Sequence, residues 1–377
     1  MRRLVLVLLA LFALALAPAG AADDTGLKPM FNGHDLTGWV NVNTHPGTFF
    51  AKGDEVITTG KPTGYLRTTK QYENFVADFD WMHIPPKPDA VGNSGFFVWA
   101  DPIPAVGTGY TRGIEVQVLV NLELKSRKGQ VTATSHGDLF SIWGATCKPD
   151  RPHPDGWARC LPSENRAKGA GEWNHYRVTA NNGVIKLEVN GQEVSGVSEC
   201  KPRKGYLALE SEGSECHFRN LKIKELPSTN PKPDEVADVD KGFVSLLDGL
   251  DLYGWKTDAG SWQVKDGHLK ATGKADLVTE KMFGTFELLF DCKMPTNSKA
   301  EWAFQVGTGS QFNHVNADMD SRGKWVRVVA TVGKNGVTVT TNGRPAGSTN
   351  FVPGPSPIIF KPAEGLELMN VFVREMK

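Results

Sequence analysis

The chain lacks a net charge: 42 basic residues balance 42 acidic ones. That argues against nucleic acid or an anionic membrane surface as the main partner. It also lacks any apolar run of membrane length. The one sustained hydrophobic segment, Leu4–Leu16, is too short to span a bilayer. Cysteine is scarce, with five residues at 147, 160, 200, 216 and 292, and their spacing fits no common zinc motif. Helical periodicity is nearly absent as well. Glycine (40) and proline (23) are plentiful instead, as expected where many short strands are joined by turns.

Residues 1–22 have the form of a secretory signal. Arg2 and Arg3 precede the apolar run, and Ala19-Gly20-Ala21 supplies a small-x-small cleavage site. No cysteine follows, which argues against a lipid anchor. The expectation is an exported protein, secreted or periplasmic. In an oxidising compartment cysteines can pair. Local contact suggests Cys147 with Cys160 across a Pro-rich loop, and Cys200 with Cys216 across a hairpin. Cys292, in an apolar strand, reads as a buried free thiol.

A duplication organises the rest. Met30-Phe31-Asn32-Gly33 with Gly38-Trp39 returns as Leu246-Leu247-Asp248-Gly249 with Gly254-Trp255. Phe79-Asp80 returns as Phe290-Asp291, and the Trp173 to Asn190-Gly191 interval as Trp325 to Asn342-Gly343. Between the copies, 227–241 is proline-rich and polar and reads as an extended linker. The expected organisation is a signal at 1–22, a first domain at 27–226, a linker at 227–241 and a second domain at 242–377. Strand follows strand in both copies, and Val184–Val189 ends in the hairpin dipeptide Asn190-Gly191. The fold class is all-β, with each domain a two-sheet sandwich.

Two strands carry the sharpest chemical signal: Gly92-Asn93-Ser94-Gly95-Phe96-Phe97-Val98-Trp99 and Gly113-Ile114-Glu115-Val116-Gln117-Val118-Leu119. In the second, Ile114, Val116 and Val118 share one face, while Glu115 and Gln117 share the other. A carboxylate and an amide backed by an apolar face point to a sheet surface that meets something polar. A polar outer face on an edge strand is the plainer alternative.

Asn-Ser-Gly before a strand, then Gly-x-Glu-x-Gln, Gly171-Glu172-Trp173-Asn174, and Phe218-Arg219-Asn220 together resemble the 3-keto-disaccharide hydrolase domain family over roughly 29–226. The resemblance implies a concanavalin A-like, laminarinase-type jelly roll, here in tandem with a degenerate copy, and a carbohydrate substrate of the 3-keto class. A laminarinase-type strand carries carboxylates at i and i+4, because ordinary glycoside hydrolysis uses two. Position i+4 from Glu115 is Leu119. A 3-keto sugar suits that deficit: its ketone acidifies the C2 hydrogen, so one base can start an elimination, with water added later.

On this reading Glu115 is the candidate base and His136 its candidate partner, histidine titrating near neutrality. A surface turn histidine is an equal alternative for His136. Asn93, Ser94 and Gln117 are candidate substrate contacts, with Gly92 and Gly95 allowing close backbone approach to a ligand. Asp138 is placed to orient His136 or bind metal. Trp143 reads as a sugar platform or equally as a core tryptophan. Glu210 and Glu212 stand where many family members have Gln and His. They add negative charge that suits calcium or magnesium, or simply a solvated edge; no cofactor is certain. The irregular stretches Asp101–Arg112 and Cys147–Gly171 are long enough to carry function, and the second holds His153, Trp157 and Arg159 as candidate walls. Arg219 reads as structural. The second copy lacks the Asn-Ser-Gly and Gly-x-Glu-x-Gln parts; Trp302, Phe312 and His314 could form a sugar platform there, with core or loop roles as the alternative. Competing functions are a non-catalytic carbohydrate-binding module and a structural or adhesion protein. The sequence leaves oligomeric state open.

Overall fold

A computed structural model describes residues 26–121, 124–125, 131–133, 136–296, 303–306, 311–313, 322–349 and 354–376. The signal-like segment 1–22, Trp302, His314 and the side chain of Phe312 lie outside the described residues. The fold is all-β, two antiparallel sandwiches in tandem. Among the described residues the one helical element is the single 3-10 turn Pro233–Glu235. No helix there is long and apolar enough to cross a membrane.

The first unit stacks a nine-stranded sheet on a seven-stranded one. The seven-stranded sheet runs Arg159–Cys160, Leu139–Ile142, Gly113–Val120, Gly92–Ala100, Tyr206–Ser211, Gly64–Thr68, Trp39–Val42. Between the sheets lies a core that includes Phe79, Trp81, Phe96, Val116, Tyr176 and Phe218. Period-2 alternation builds it: along Phe75–Ile84 every second side chain is buried, the intervening ones are half-buried, and the last, Ile84, is exposed. The second unit repeats the plan with eight-stranded and five-stranded sheets around Phe286, Phe290, Phe304, Val328 and Leu368. No strand pairing crosses between the units among the described residues.

The duplication extends to single hydrogen bonds. The Trp39 indole donates to the Met30 carbonyl (3.1 Å), and the Trp255 indole to the Leu246 carbonyl (2.7 Å). Asn32 Oδ1 accepts from the His34 and Asp35 amides; Asp248 Oδ1 accepts from those of Leu250 and Asp251.

Two expectations change. The 227–241 segment is extended, but it is strapped to the first unit and is not a free linker. Asn74 Nδ2 donates to the Pro227 carbonyl (2.7 Å), Gln71 Nε2 to the Ala237 and Asp238 carbonyls, and buried Arg67 pairs with Asp240 at 2.6 Å. The cysteines are unpaired: all five are free thiols, four of them buried, so neither Cys147–Cys160 nor Cys200–Cys216 forms. Cys147 is on Thr146–Pro149, which pairs with the strand bearing Cys200, whereas Cys216 is on Glu215–Glu225, across the sheet. Topology separates the two cysteines that sequence proximity had joined.

The units meet on the outer face of the seven-stranded sheet. Val42, Tyr65, Phe97, Ala100, Tyr206 and Ala208 pack with Leu289 and Phe372 of the second unit. One part of the sheet face that carries Glu115 and Gln117 is therefore filled by protein, and the polar residues occupy the rest.

Candidate active site

The alternation expected for Gly113–Val120 holds: Ile114, Val116 and Val118 enter the inter-sheet core, and Glu115 and Gln117 point to the other face. Gly92–Ala100 lies between this strand and Tyr206–Ser211. Its Ser94, Phe96 and Val98 are on the core side, which leaves Asn93, Gly95 and Phe97 on the side of Glu115. Ser94 therefore does not reach the site. Its hydroxyl is buried and donates to the Glu210 carbonyl (2.8 Å).

Gly95 creates the centre. A Cβ there would sit 2.9 Å from Glu115 Oε1 and 3.0 Å from Glu210 Oε2, so carboxylates from both flanking strands close over the missing side chain. Gly92 does something different: a Cβ there would strike the His83 ring at 2.6 Å, so it makes room for a histidine and not a ligand. Glu115 and Gln117 are each 6 % exposed and Glu210 is 1 % exposed, which sets the group apart from a solvated strand face.

Glu212, just beyond the Tyr206–Ser211 strand, completes a trio of carboxyls. Its Oε1 accepts from the Tyr110 hydroxyl (2.6 Å) and its Oε2 from the Asn93 amide. Asn93 Oδ1 in turn accepts from Gln117 Nε2 at 2.8 Å. Neither Glu210 carboxyl oxygen has a hydrogen bond of good geometry among the described residues, although Glu212 lies within electrostatic reach. Burial raises Glu115 and Glu210 well above the usual carboxylate range; Glu212 pushes Glu115 further, and Glu115 and Glu212 push Glu210 further. Burial raises Glu212 too, opposed by the Tyr110 hydrogen bond. Close carboxyls cannot all ionise, so the group retains a proton.

Among the described residues, the cation that faces this charge is Arg159. Arg159 Nε donates to Asp138 at 2.7 Å, its guanidinium lies 4.2 Å over the Phe140 ring, and it draws the Glu115 pKa down. Phe140 is in register with both Arg159 and Glu115. Asp138, fully buried, thus orients Arg159.

His136 is elsewhere. It is buried, its Nε2 accepts the Arg166 amide (3.1 Å), and burial lowers its pKa to about 4. No contact between His136 and Glu115 is present among the described residues. A histidine neutral at pH 7 and engaged by the 164–166 backbone fits neither surface turn nor acid partner. Trp143 is not a core tryptophan: it is 53 % exposed and stacks on Tyr110 with centroids 6.2 Å apart. Of the suggested walls, Arg159 reaches the site, whereas His153 stacks on Trp157 at 4.6 Å. Arg219 is structural, 3.8 Å over Trp173 on the other sheet. Tyr110 is the residue that sequence reasoning passed over; the length of Asp101–Arg112 was the one available signal. A cavity of about 320 Å³ opens beside it between the units, lined among others by Asn43, Tyr110, Trp143, Leu247 and His268.

Both oxygens of Glu212 are already engaged, by Tyr110 and Asn93, and among the described residues no group of three or more acids, histidines or cysteines is arranged to hold a metal.

The profile of the 3-keto-alpha-glucoside-1,2-lyase-like domain matches residues 26–224 and 242–319. The chain belongs to that family. The match breaks across the strap and resumes in the second unit, and membership points to a carbohydrate-related function. No curated protein matches the chain. Among solved structures, a provisionally assigned glycosyl hydrolase from Parabacteroides distasonis is 23 % identical with a TM-score of 0.40, covering 54 % of this chain and 94 % of that one. The carbohydrate-binding module CBM66 from Bacillus subtilis is 12 % identical with a TM-score of 0.37, covering 52 % of this chain and 100 % of that one.

Proposed function

We propose that the first unit cleaves the glycosidic bond of 3-keto-glycosides by elimination. The observation that carries this is the pair of buried carboxyls, Glu115 and Glu210, closing over Gly95 with one cation beside them. Glu115, its basicity raised by burial, takes the proton from C2. The C–H electron pair becomes the C1–C2 double bond, and the C1–O bond breaks with its electrons on the leaving oxygen. Glu210, held protonated by its carboxylate neighbours, gives that oxygen its proton. Arg159 balances the negative charge that spreads toward the C3 carbonyl as C2 is deprotonated. Adding water across the double bond, hydroxyl to C1 and hydrogen to C2, completes a net hydrolysis. Asn93 and Gln117 position substrate hydroxyls, and the exposed Trp143 ring offers a sugar a flat apolar face. No step runs through a metal. We place the protein outside the cytoplasm on the pattern of residues 1–22, which mass spectrometry of the mature N-terminus checks.

The test uses 4-nitrophenyl 3-keto-α-glucoside in heavy water. Elimination predicts nitrophenol release, with deuterium at C2 of the hydrated sugar, and loss of both in Glu115→Gln while the fold persists. Release that survives Glu115→Gln overturns the assignment. Binding of unoxidised oligosaccharide with no turnover of the keto-sugar replaces the enzyme with a carbohydrate-binding module.

A further inference from the structure

The second unit has none of the carboxyls above, yet it grips the loop that supplies Tyr110. Asp291, fully buried on Phe286–Lys293, accepts the Gly107 amide through Oδ2 at 2.9 Å. Asn370 Nδ2 donates to the Thr108 carbonyl (2.9 Å), the Ala105 carbonyl (3.3 Å) and Asp291 Oδ2 (2.7 Å). Arg327 Nη2 donates to the Pro104 carbonyl at 2.9 Å, while its Nε holds Asp291 Oδ1 at 2.7 Å. Trp325 closes the grip from one side: a Cβ on Gly107, whose φ is +72°, would fall 2.4 Å from the indole ring. Three side chains of one unit thus satisfy four consecutive-turn backbone groups of the other, and the last of these, Thr108, is two residues from Tyr110.

We infer that the second unit is a positioning element of the site: Asp291, Asn370 and Arg327 fix Pro104–Thr108 and thereby set the Tyr110 hydroxyl against Glu212. The inference rests on the function proposed above, because its kinetic arm reads that reaction. The physical argument is one of chain mechanics. A glycine-rich loop (Gly107-Thr108-Gly109) has many conformations open to it. On its own unit's side the Tyr110 hydroxyl meets the Glu212 carboxylate and its ring stacks on Trp143, while its backbone is held only from within the same loop, by the Ala105 amide and the Thr108 hydroxyl, among the described residues. Fixing the backbone two residues away removes the freedom that would let the phenol leave. With the phenol in place, its hydrogen bond favours the charged form of Glu212 and so favours the shared proton on Glu210. With the phenol gone, Glu212 loses that donor, its pKa rises toward that of Glu210, and the proton is less confined to Glu210. The clamp therefore acts on which carboxyl is the acid, and it acts through Tyr110.

The experiment compares Asp291→Ala, Tyr110→Phe and the double variant in the full chain, with 4-nitrophenyl 3-keto-α-glucoside as probe. Asp291→Ala is expected to lower kcat roughly ten- to a hundredfold with little change in KM, the size a small misplacement of a site group produces. It should also raise hydrogen exchange across 101–112 and shift the pH profile of kcat. In the Tyr110→Phe background it should cost nothing further. Losses that multiply in the double variant, or unchanged turnover in Asp291→Ala, overturn the inference. Because Asp291 is buried and its loss can unfold the second unit, Gly107→Ala serves as the second variant: it pushes the loop off Trp325 from the first unit's side and should give the same pattern. Should the wild-type protein leave the probe untouched, the proposed function falls. The positional claim is then decided by exchange at 101–112 and by the alkaline ionisation of Tyr110, which burial and Glu212 hold above the ordinary phenol range and which release of the loop should bring down.

Discussion

The same three-residue device appears in both units and is put to opposite use. In the first, Asp80 accepts from Asn220 Nδ2 at 2.9 Å and pairs with His175 at 2.9 Å. In the second, Asp291 accepts from Asn370 at 2.7 Å and pairs with Arg327 at 2.7 Å. Asn220 and Asn370 share a left-handed backbone, φ +53° and +52°, and the amides of His175 and Arg327 both donate to the Asn-Gly turn, at Asn190 and Asn342. Yet Asp80 borders solvent, with Arg219 as a further partner, whereas Asp291 is fully buried at the seam. A duplicated unit need not keep its site to keep a role. On the function proposed above, one copy holds the chemistry on its seven-stranded sheet, and the other turns its larger sheet into a support for it.

The largest effect should come from the unit that holds the carboxyls. Glu115→Gln is expected to lower kcat on the keto-sugar probe by roughly a hundred- to ten-thousandfold, the usual worth of a positioned base; steady-state kinetics and a circular dichroism spectrum separate this from unfolding. Next comes the contrast between the two aspartates. Asp291→Ala strands the Arg327 charge and two N–H donors, the Gly107 amide and the Asn370 side chain, inside the seam, so it should cost about 3–5 kcal/mol. Asp80→Ala, at a bordering position, should cost about 1 kcal/mol or less. Urea denaturation of both variants reads the difference, and equal losses would erase the distinction drawn between the two copies. Gly95→Ala follows: it overpacks the space between Glu115 and Glu210, with an expected cost of about 1–3 kcal/mol and a loss of activity larger than the loss of stability.

The smallest effect is in pH. His175 is raised to about 9, first by its hydrogen bonds to Asp78 and Asp80. Its folded pKa lies above its unfolded one, so its contribution is complete below pH 6.5 and fades as pH climbs through about 9. The half-exposed ring keeps this small. His175→Arg should flatten the alkaline slope of the first unit's stability curve, and an unaltered slope would assign it to another group. His136 has the opposite sign. Burial lowers it to about 4, so its contribution is complete above pH 6.5 and is lost as pH falls toward 4. An acid limb that persists in His136→Gln would contradict that assignment.

Much of this was legible in the chain. Period-2 alternation placed Glu115 and Gln117 on one face and Ile114, Val116 and Val118 on the other, because strand geometry leaves no third direction. The duplication was visible in Asn-Gly and Gly-Trp steps, since turns tolerate few residues. Proximity in sequence misled where the sheet rearranges neighbours. Cys200 and Cys216 are one hairpin apart in sequence and several strands apart in the sheet order. His136 follows Glu115 by some twenty residues but turns toward the 164–166 backbone, while Arg159 comes alongside through pairing with Leu139–Ile142. Ser94 was misplaced by reading a motif as a unit, although adjacent strand residues face opposite ways. Tyr110 was hidden because its place depends on Asp291 and Asn370, some 180 and 260 residues further along.

The strap at 227–241 and the apolar seam at Tyr65, Phe97 and Phe372 carry a consequence for the ancestry of the molecule. Once the first copy had learned to leave those rings uncovered, separating the halves by recombination would have exposed sticky surface and unseated a working loop. Gene duplication is usually pictured as freeing a spare part to drift. Here the spare part covers those rings and grips the 104–108 backbone, so the first unit cut loose from it would lose both.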